Sequence, residues 1–365
     1  MANLSNRPTA AAAATAWLFI VATLLLSCQR FTVATLLLLA MILPSFRVTE
    51  AQIGVCYGRN GNNLPSPQDV INLYKSRGIT RMRMYDPGPN SLQALRGTNI
   101  GLILDVPRTD LRSLGSDAGA ATRWVQKNVV AYASNVNFRY IAVGNEIMPG
   151  DAEAGSILPA MQNVQNALRS ANLADRIKVS TAVKSSIVDG FPPSKGFFTS
   201  SSYMNPIVNF LRNNNSPLLA NIYPYFAYLG TGSIRLDYAL FTSPNAQVND
   251  DNGLQYKNLF DALVDTMYAA LARAGGPNIP IVVSESGWPS AGGDSRGAAT
   301  PGNAATYYAN LIGHVRQGTP RKNGQAIETY LFAMFDENQK GGGTENNFGV
   351  FSPNQQPKYN LNFRG

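Results

Sequence analysis

Histidine and cysteine are nearly absent from this 365-residue chain, which has one histidine, His314, and two cysteines, Cys28 and Cys56. Nucleophilic engines of the Ser-His-Asp or Cys-His type need an imidazole beside the nucleophile. The stretch around His314, NAATYYANLIGHVRQG, reads as a helix and offers no such partner. Metal clusters built on His and Cys are excluded by the same shortage, and neither a metal nor a cofactor is expected. Cys56 lies in the apolar run IGVCYG and reads as a buried, inert thiol. Charged residues are sparse as well, 14% of the chain, and the net charge of +8 comes from scattered Lys and Arg. A nucleic-acid binder clusters its basic residues with aromatics on one face, so nucleic acid is not an expected partner. The chemistry left open is that of carboxylates.

Uninterrupted apolar runs long enough to cross a membrane are also missing. Residues 10–26 and 31–43 are apolar, but Ser27, Cys28, Gln29 and Arg30 part them. Neither run reaches the roughly 18 apolar residues of a spanning helix. Thr49 and Ala51 then stand at the small-residue spacing of a cleavage site. The expectation is a secretion signal over residues 1–51, removed, and a mature chain over 52–365 with no membrane association. An uncleaved anchor is the alternative. Cys28 leaves with the signal, so Cys56 stands alone and no internal disulfide can form.

The mature chain switches repeatedly between short β-rich runs and longer helical ones. Strands are expected over residues 53–57, 81–85, 100–106, 138–146, 177–183, 217–225, 279–285 and 328–335. Between them the clearest helix is 258–271, where Leu259, Leu263, Met267 and Leu271 recur at helical spacing before Gly275, Gly276 and Pro277 stop it. Eight apolar strands interleaved with helices predict an α/β fold, a single-domain (β/α)8 TIM barrel. A doubly wound open sheet is the runner-up, but CYGRNGNN lacks the Gly spacing of its phosphate loop. The final QQPKYNLNFRG reads as a closing segment packed under the barrel. A monomer is the default expectation.

Barrel active sites lie at the C-terminal ends of the strands. Sorting the acidic residues by that rule leaves Glu146, ending IAVGNE; Glu285, ending IVVSE; Asp86, after the second strand; and Asp336 and Glu337, after the eighth. Taken singly, each is as well explained as a helix cap or an arginine partner. Two Glu on separate strands aimed at one mouth match the needs of glycosidic bond cleavage, one protonating the leaving oxygen and the other attacking the sugar or activating water. Their neighbours fit a sugar groove: Asn145 beside Glu146, Trp288 after Glu285, and Tyr223, Tyr225 and Phe226 in YPYF.

The motifs VVSESGWPSAGG, VGNE, ANIYPYFAY and FAMFDENQK, with the opening IGVCYGRNGNNLPSPQDVINLYKSRGI, resemble plant glycoside hydrolase family 17, the endo-β-glucanases. The resemblance runs from residue 52 to 363. It implies that Glu285 is the nucleophile, Glu146 the acid/base, Glu337 and Lys340 the supporting acid and lysine, and Tyr85 the tyrosine ending strand two. Asp336 departs from the Asn of many relatives and is expected to add negative charge near the pair, raising the acid/base pKa. Lys340 is expected to pair with Glu285 or Glu337. The implied activity is retaining endo-hydrolysis of β-1,3-glucan, as in fungal walls or callose, of the plant-defence type, with carboxyls roughly 5–5.5 Å apart. A mixed β-1,3;1,4-glucan endohydrolase and a non-catalytic glucan-binding protein are the alternatives. The implied location is the cell wall, with the vacuole second.

Overall fold

The computed structural model describes residues 53–363, and the two apolar N-terminal runs with their cleavage site lie outside them. Eight parallel strands close into a barrel in the order expected of a (β/α)8 fold. They are β1 (Ile53–Tyr57), β2 (Arg81–Met84), β3 (Gly101–Val106), β4 (Asn137–Asn145), β5 (Lys178–Lys184), β6 (Leu218–Asn221), β7 (Ile281–Ser286) and β8 (Thr329–Leu331). Closure is direct, with Ile53 opposite Thr329 and Gly54 opposite Arg81. Around them run α1 (Pro67–Arg77), α2 (Pro89–Ala94), α3 (Leu111–Ser116), α4 (Ala118–Val125), α5 (Ala154–Ser170), α6 (Ser201–Asn213), α7 (Pro224–Gly230), α8 (Leu236–Ala239), α9 (Leu259–Arg273) and α10 (Pro301–His314).

The helix expected over 258–271 is α9, and its start shows why it begins there. Asn258 caps it, its side chain accepting the Asp261 N–H at 2.8 Å, a contact that contributes about 1 kcal/mol. Leu259, Met267 and Leu271 are buried against the barrel, and Leu263 packs on the same core.

Strand alternation sorts the core into two compartments. Outward residues such as Val55, Met82, Leu102, Ile141, Val179, Leu218 and Val283 join the helices in one large apolar shell. Inward residues Cys56, Ile103, Ala142, Ala182, Leu219 and Val282 form a narrow inner plug that leaves room for polar groups above and below. Cys56 is fully buried; burial first, then Glu285, pushes its thiol far above the usual range, so it behaves as an inert side chain.

All eight expected strands form, but two are shorter than the apolar pattern suggested. β6 ends at Asn221 because Tyr223 becomes the cap of α7, with Pro224 preset for its first turn. β8 ends at Leu331, after which Phe332 donates to Ser286 O and Ala333 to Phe348 O. The closing segment does not lie under the barrel. It packs on the wall between α10 and α1, with Tyr359 on Tyr308 at 5.6 Å and Phe363 stacked at 6.1 Å on Phe351, over which the Arg77 guanidinium lies. It thereby fills the place left where, among the described residues, no α-helix follows β8.

Candidate active site

At the C-terminal ends of the strands lies a cleft of about 300 Å³ lined by Tyr57, Gly58, Arg59, Asn60, Tyr85, Asp86, Asn145, Glu146, Tyr223, Phe226, Glu285, Phe332, Glu337, Lys340, Glu345 and Phe348. Strict alternation would not bring Glu285 there. Along β7, Val282 and Ser284 face the barrel axis, so Glu285 should face the helices. A register shift against β6 between Val283 and Glu285 turns it inward. In β4, where Tyr140 and Ala142 face the axis, a shift against β5 between Ala142 and Asn145 brings Asn145 inward beside Glu146. There Gly144 has φ 85° and Glu146 has φ 56°, a left-handed conformation costly for a residue with a side chain. A Cβ on Gly144 would come within 2.6 Å of Ile157 Cδ1, so glycine is needed at the bend.

Glu285 is 5% exposed and its carboxylate is held at both oxygens. Tyr85 Oη and Arg83 Nη1 donate to Oε1 at 2.8 and 2.9 Å, and Tyr223 Oη donates to Oε2 at 2.7 Å. Three donors, one of them cationic, fix the direction of this carboxylate. Glu146 has a weaker shell: Asn221 Nδ2 donates to its Oε1 at 2.9 Å, and it forms no ion pair among the described residues. Burial first, and the Glu285 charge second, raise its carboxyl above the ordinary range. One carboxyl is thus fixed by three donors while the other is biased toward the neutral acid, an arrangement that suits acid-assisted nucleophilic displacement.

Arg83 organises this shell. It is fully buried and also bonds Asp105, Asn221, Asn145 and the Ser284 carbonyl. Burial opposes its charge, but Asp105, Tyr85 and Glu285 outweigh that and keep it a cation. Glu337 pairs with Lys340 at 2.8 Å and accepts the Asn60 N–H at 2.7 Å. Lys340 therefore pairs with Glu337 and not with Glu285, and its ammonium lies 4.3 Å from the Phe332 ring centre. Phe332 meets Tyr85, Tyr223 and Phe348 edge-on, forming an aromatic floor from which Phe226, 43% exposed, stands out.

Nine of the twelve residues singled out from the sequence line this cleft: Glu285, Glu146, Glu337, Lys340, Asn145, Tyr85, Asp86, Tyr223 and Phe226. Trp288 and Tyr225 do not. Trp288 is fully buried, donates Nε1–H to Ala298 O at 2.9 Å and packs against Tyr225, Tyr228 and Tyr307. Tyr225 is fully buried beside it, with its hydroxyl on Asp294 at 3.2 Å. Both brace the loop after β7 and offer no ring face to a ligand. The turn itself is tight: a Cβ on Gly287 would stand 2.2 Å from Phe332 O. Asp336 is also reassigned. It pairs with Lys358 at 2.7 Å and accepts the Gly349 N–H at 2.8 Å, and it is not among the groups that raise Glu146.

The family model for glycosyl hydrolases family 17 matches residues 53–363, all of the described barrel. The chain belongs to glycosyl hydrolases family 17. Within the family it is 61% identical to a glucan endo-1,3-beta-glucosidase of Vitis vinifera, over 91% of this chain and 97% of that one. A solved structure from a pair of plant beta-glucan endohydrolases with distinct substrate specificities matches at TM-score 0.81 and 47% identity, over 85% of this chain and 99% of that one. A beta-1,3-glucanase and allergen of Cryptomeria japonica pollen matches at TM-score 0.82 and 46% identity, over 86% and 99%.

Residues that the sequence reading missed are mostly polar groups facing the barrel axis. Arg83 and Asp105 sit inside runs read only as apolar strands, RMRMY and IGLILDV. The signal was there in the period of two: Met82 and Met84 face the helices, so Arg81 and Arg83 face the axis. Asn221, Phe332 and Phe348 carried no signal of their own, because they reach the cleft only through the early ends of β6 and β8.

Proposed function

We propose that this family 17 chain is a retaining endo-hydrolase of β-1,3-glucosidic bonds in glucans such as fungal wall glucan and callose. The observation that carries the reading is the contrast between the two buried carboxyls of one cleft, Glu285 held by three donors and Glu146 biased toward its acid form. In this reading Glu285 attacks the anomeric carbon while Glu146 passes its proton to the departing oxygen. The bond to the leaving sugar breaks and a glycosyl ester forms on Glu285. Glu146, now ionised, takes a proton from water, whose oxygen attacks the same carbon and frees Glu285. Arg83, Tyr85 and Tyr223 hold the nucleophile in line. Asn145 Oδ1 is occupied by Arg83 and Asn221, which directs the other half of its amide toward a sugar hydroxyl. Phe226 and Phe332 supply apolar surface for sugar rings. The Glu337–Lys340 pair keeps that wall of the cleft neutral.

The β-1,3 preference is supported by what similar chains are named for. The runner-up is a mixed β-1,3;1,4-glucan endohydrolase, because one matched structure comes from a pair with distinct specificities on the same frame. The proposal includes removal of residues 1–51 and a monomeric mature chain over 52–365 outside the cytosol, in the wall before the vacuole, without a nucleic-acid partner. The test compares reducing-end release by the mature chain from a linear β-1,3-glucan and from a mixed-linkage glucan. Preference for the linear polymer is expected. Preference for the mixed polymer would overturn the substrate and keep the chemistry, and binding without release from either would overturn the chemistry.

A further inference from the structure

Arg83 has one partner for which the proposed reaction has no use. Asp105, on β3, is 1% exposed and is not part of the cleft lining. Both its oxygens are taken by the guanidinium: Nε donates to Oδ1 at 3.1 Å and Nη2 to Oδ2 at 2.7 Å. A planar fork gripped along one edge has no freedom left to turn. Its remaining hydrogens then point where the site needs them, Nη1 at Glu285 Oε1 and Asn221 Oδ1, 2.9 and 3.0 Å away, and Nη2 at Asn145 Oδ1, 2.9 Å away. Without that grip, the same cation would be free to swing toward either carboxylate.

Resting on the function proposed above, we propose that Asp105 is a positioning residue that locks the Arg83 fork and through it aims Glu285 and Asn145 at the scissile bond. The groups gathered around this pair come from four neighbouring strand ends and β2 itself: Cys56 on β1, Tyr85 after β2, Glu146 after β4, Tyr223 after β6 and Glu285 on β7. Burial raises the Asp105 carboxyl to about 6, with Arg83 opposing and Glu285 adding to the rise. Only the ionised carboxylate accepts two N–H bonds from the fork. Once protonated, one oxygen becomes a donor facing a donor, and the grip is lost.

Asp105→Asn therefore imitates the low-pH state at every pH. The test is the ratio of kcat/KM, parent over Asp105→Asn, on a linear β-1,3-gluco-oligosaccharide across the pH range, with near-UV circular dichroism confirming the fold at each point. Titrations of the catalytic carboxyls are common to both chains and largely cancel. The ratio is expected to lie near one at low pH and to climb through about pH 6 to about tenfold or more at neutral pH. A ratio that is constant with pH would overturn the proposal. Asp105→Glu, which keeps the charge, is expected to retain the gain in activity above about pH 6. A folded Glu variant without that gain would overturn the proposal as well, even if the Asn variant does not fold. Glu285→Gln, assayed alongside, separates this idea from the reading beneath it. If that chain still turns over, the site assignment falls. If it is inactive and the ratio is flat, only the role of Asp105 falls.

Discussion

The two ends of the barrel are closed with nearly the same parts, yet one end is a plug and the other a working site. At the N-terminal end Glu328 accepts from Arg139 at 2.8 and 3.2 Å, from Tyr330 at 2.8 Å and from Tyr140 at 3.1 Å, with Arg81 3.6 Å away. At the mouth Glu285 accepts from Arg83, Tyr85 and Tyr223. Each end thus has a glutamate, arginine and two tyrosine hydroxyls. The difference lies in charge count. Two arginines serve one carboxylate at the bottom, whereas at the mouth one arginine serves Asp105 and Glu285, with Glu146 left without a cation. The register shift in β7 turns Glu285 inward at the mouth, and a register shift between β3 and β4 beside Arg139 lies at the bottom. An excess of anion in a buried site favours one carboxyl keeping its proton, and in the proposed reaction that proton is the one passed to the leaving oxygen.

Substitutions at the two ends should separate accordingly. Glu285→Gln is expected to lower turnover on β-1,3-glucan by about 10⁴-fold or more while leaving thermal unfolding near the parent, since it removes surplus negative charge. A chain that keeps its rate, or one that unfolds, would erase the distinction between the ends. Glu328→Gln is the mirror experiment. It leaves two arginines without a counter-charge and is expected to cost about 3 kcal/mol in urea unfolding with kcat/KM unchanged in the folded fraction. The aromatic residues sharpen the same contrast at the mouth alone. Trp288→Ala should cost about 3–5 kcal/mol of stability. Phe226→Ala should leave stability unchanged and raise KM severalfold, about 1 kcal/mol of lost ring contact. If Phe226→Ala instead unfolded the chain and Trp288→Ala only weakened binding, the assignment of the two rings would be reversed.

The fold was legible because its signals are local. Apolar strands and capped helices such as α9 announce themselves within a dozen residues, and the register follows once eight strands must close. Glu146 and Glu285 were legible for another reason: a carboxylate where a buried strand gives out is hard to explain except by use. The errors came where tertiary contacts decide. Trp288 lies three residues from Glu285 in sequence, but the tight turn at Gly287 sends it inward among Tyr225, Tyr228 and Tyr307. The charge of Asp336 looked available until Lys358, 22 residues later, came back to pair with it. Arg83 and Asp105 were hidden by their own context, polar residues in strands whose outward neighbours dominate the hydrophobic pattern.

The account stands most directly on the proton that Glu146 keeps. Its carboxyl can be followed by ¹³C NMR in the parent and in Glu285→Gln, with Glu146→Gln supplying the assignment. Burial and the Glu285 charge both raise it, so the parent is expected to titrate above the ordinary carboxylate range and the Glu285→Gln chain at lower pH than the parent. The acid would then stay protonated to higher pH in the parent, and the alkaline limb of the activity profile should coincide with that titration. A Glu146 that titrates alike in both chains, in the ordinary carboxylate range, would contradict the claim that crowded charge at the mouth supplies the acid.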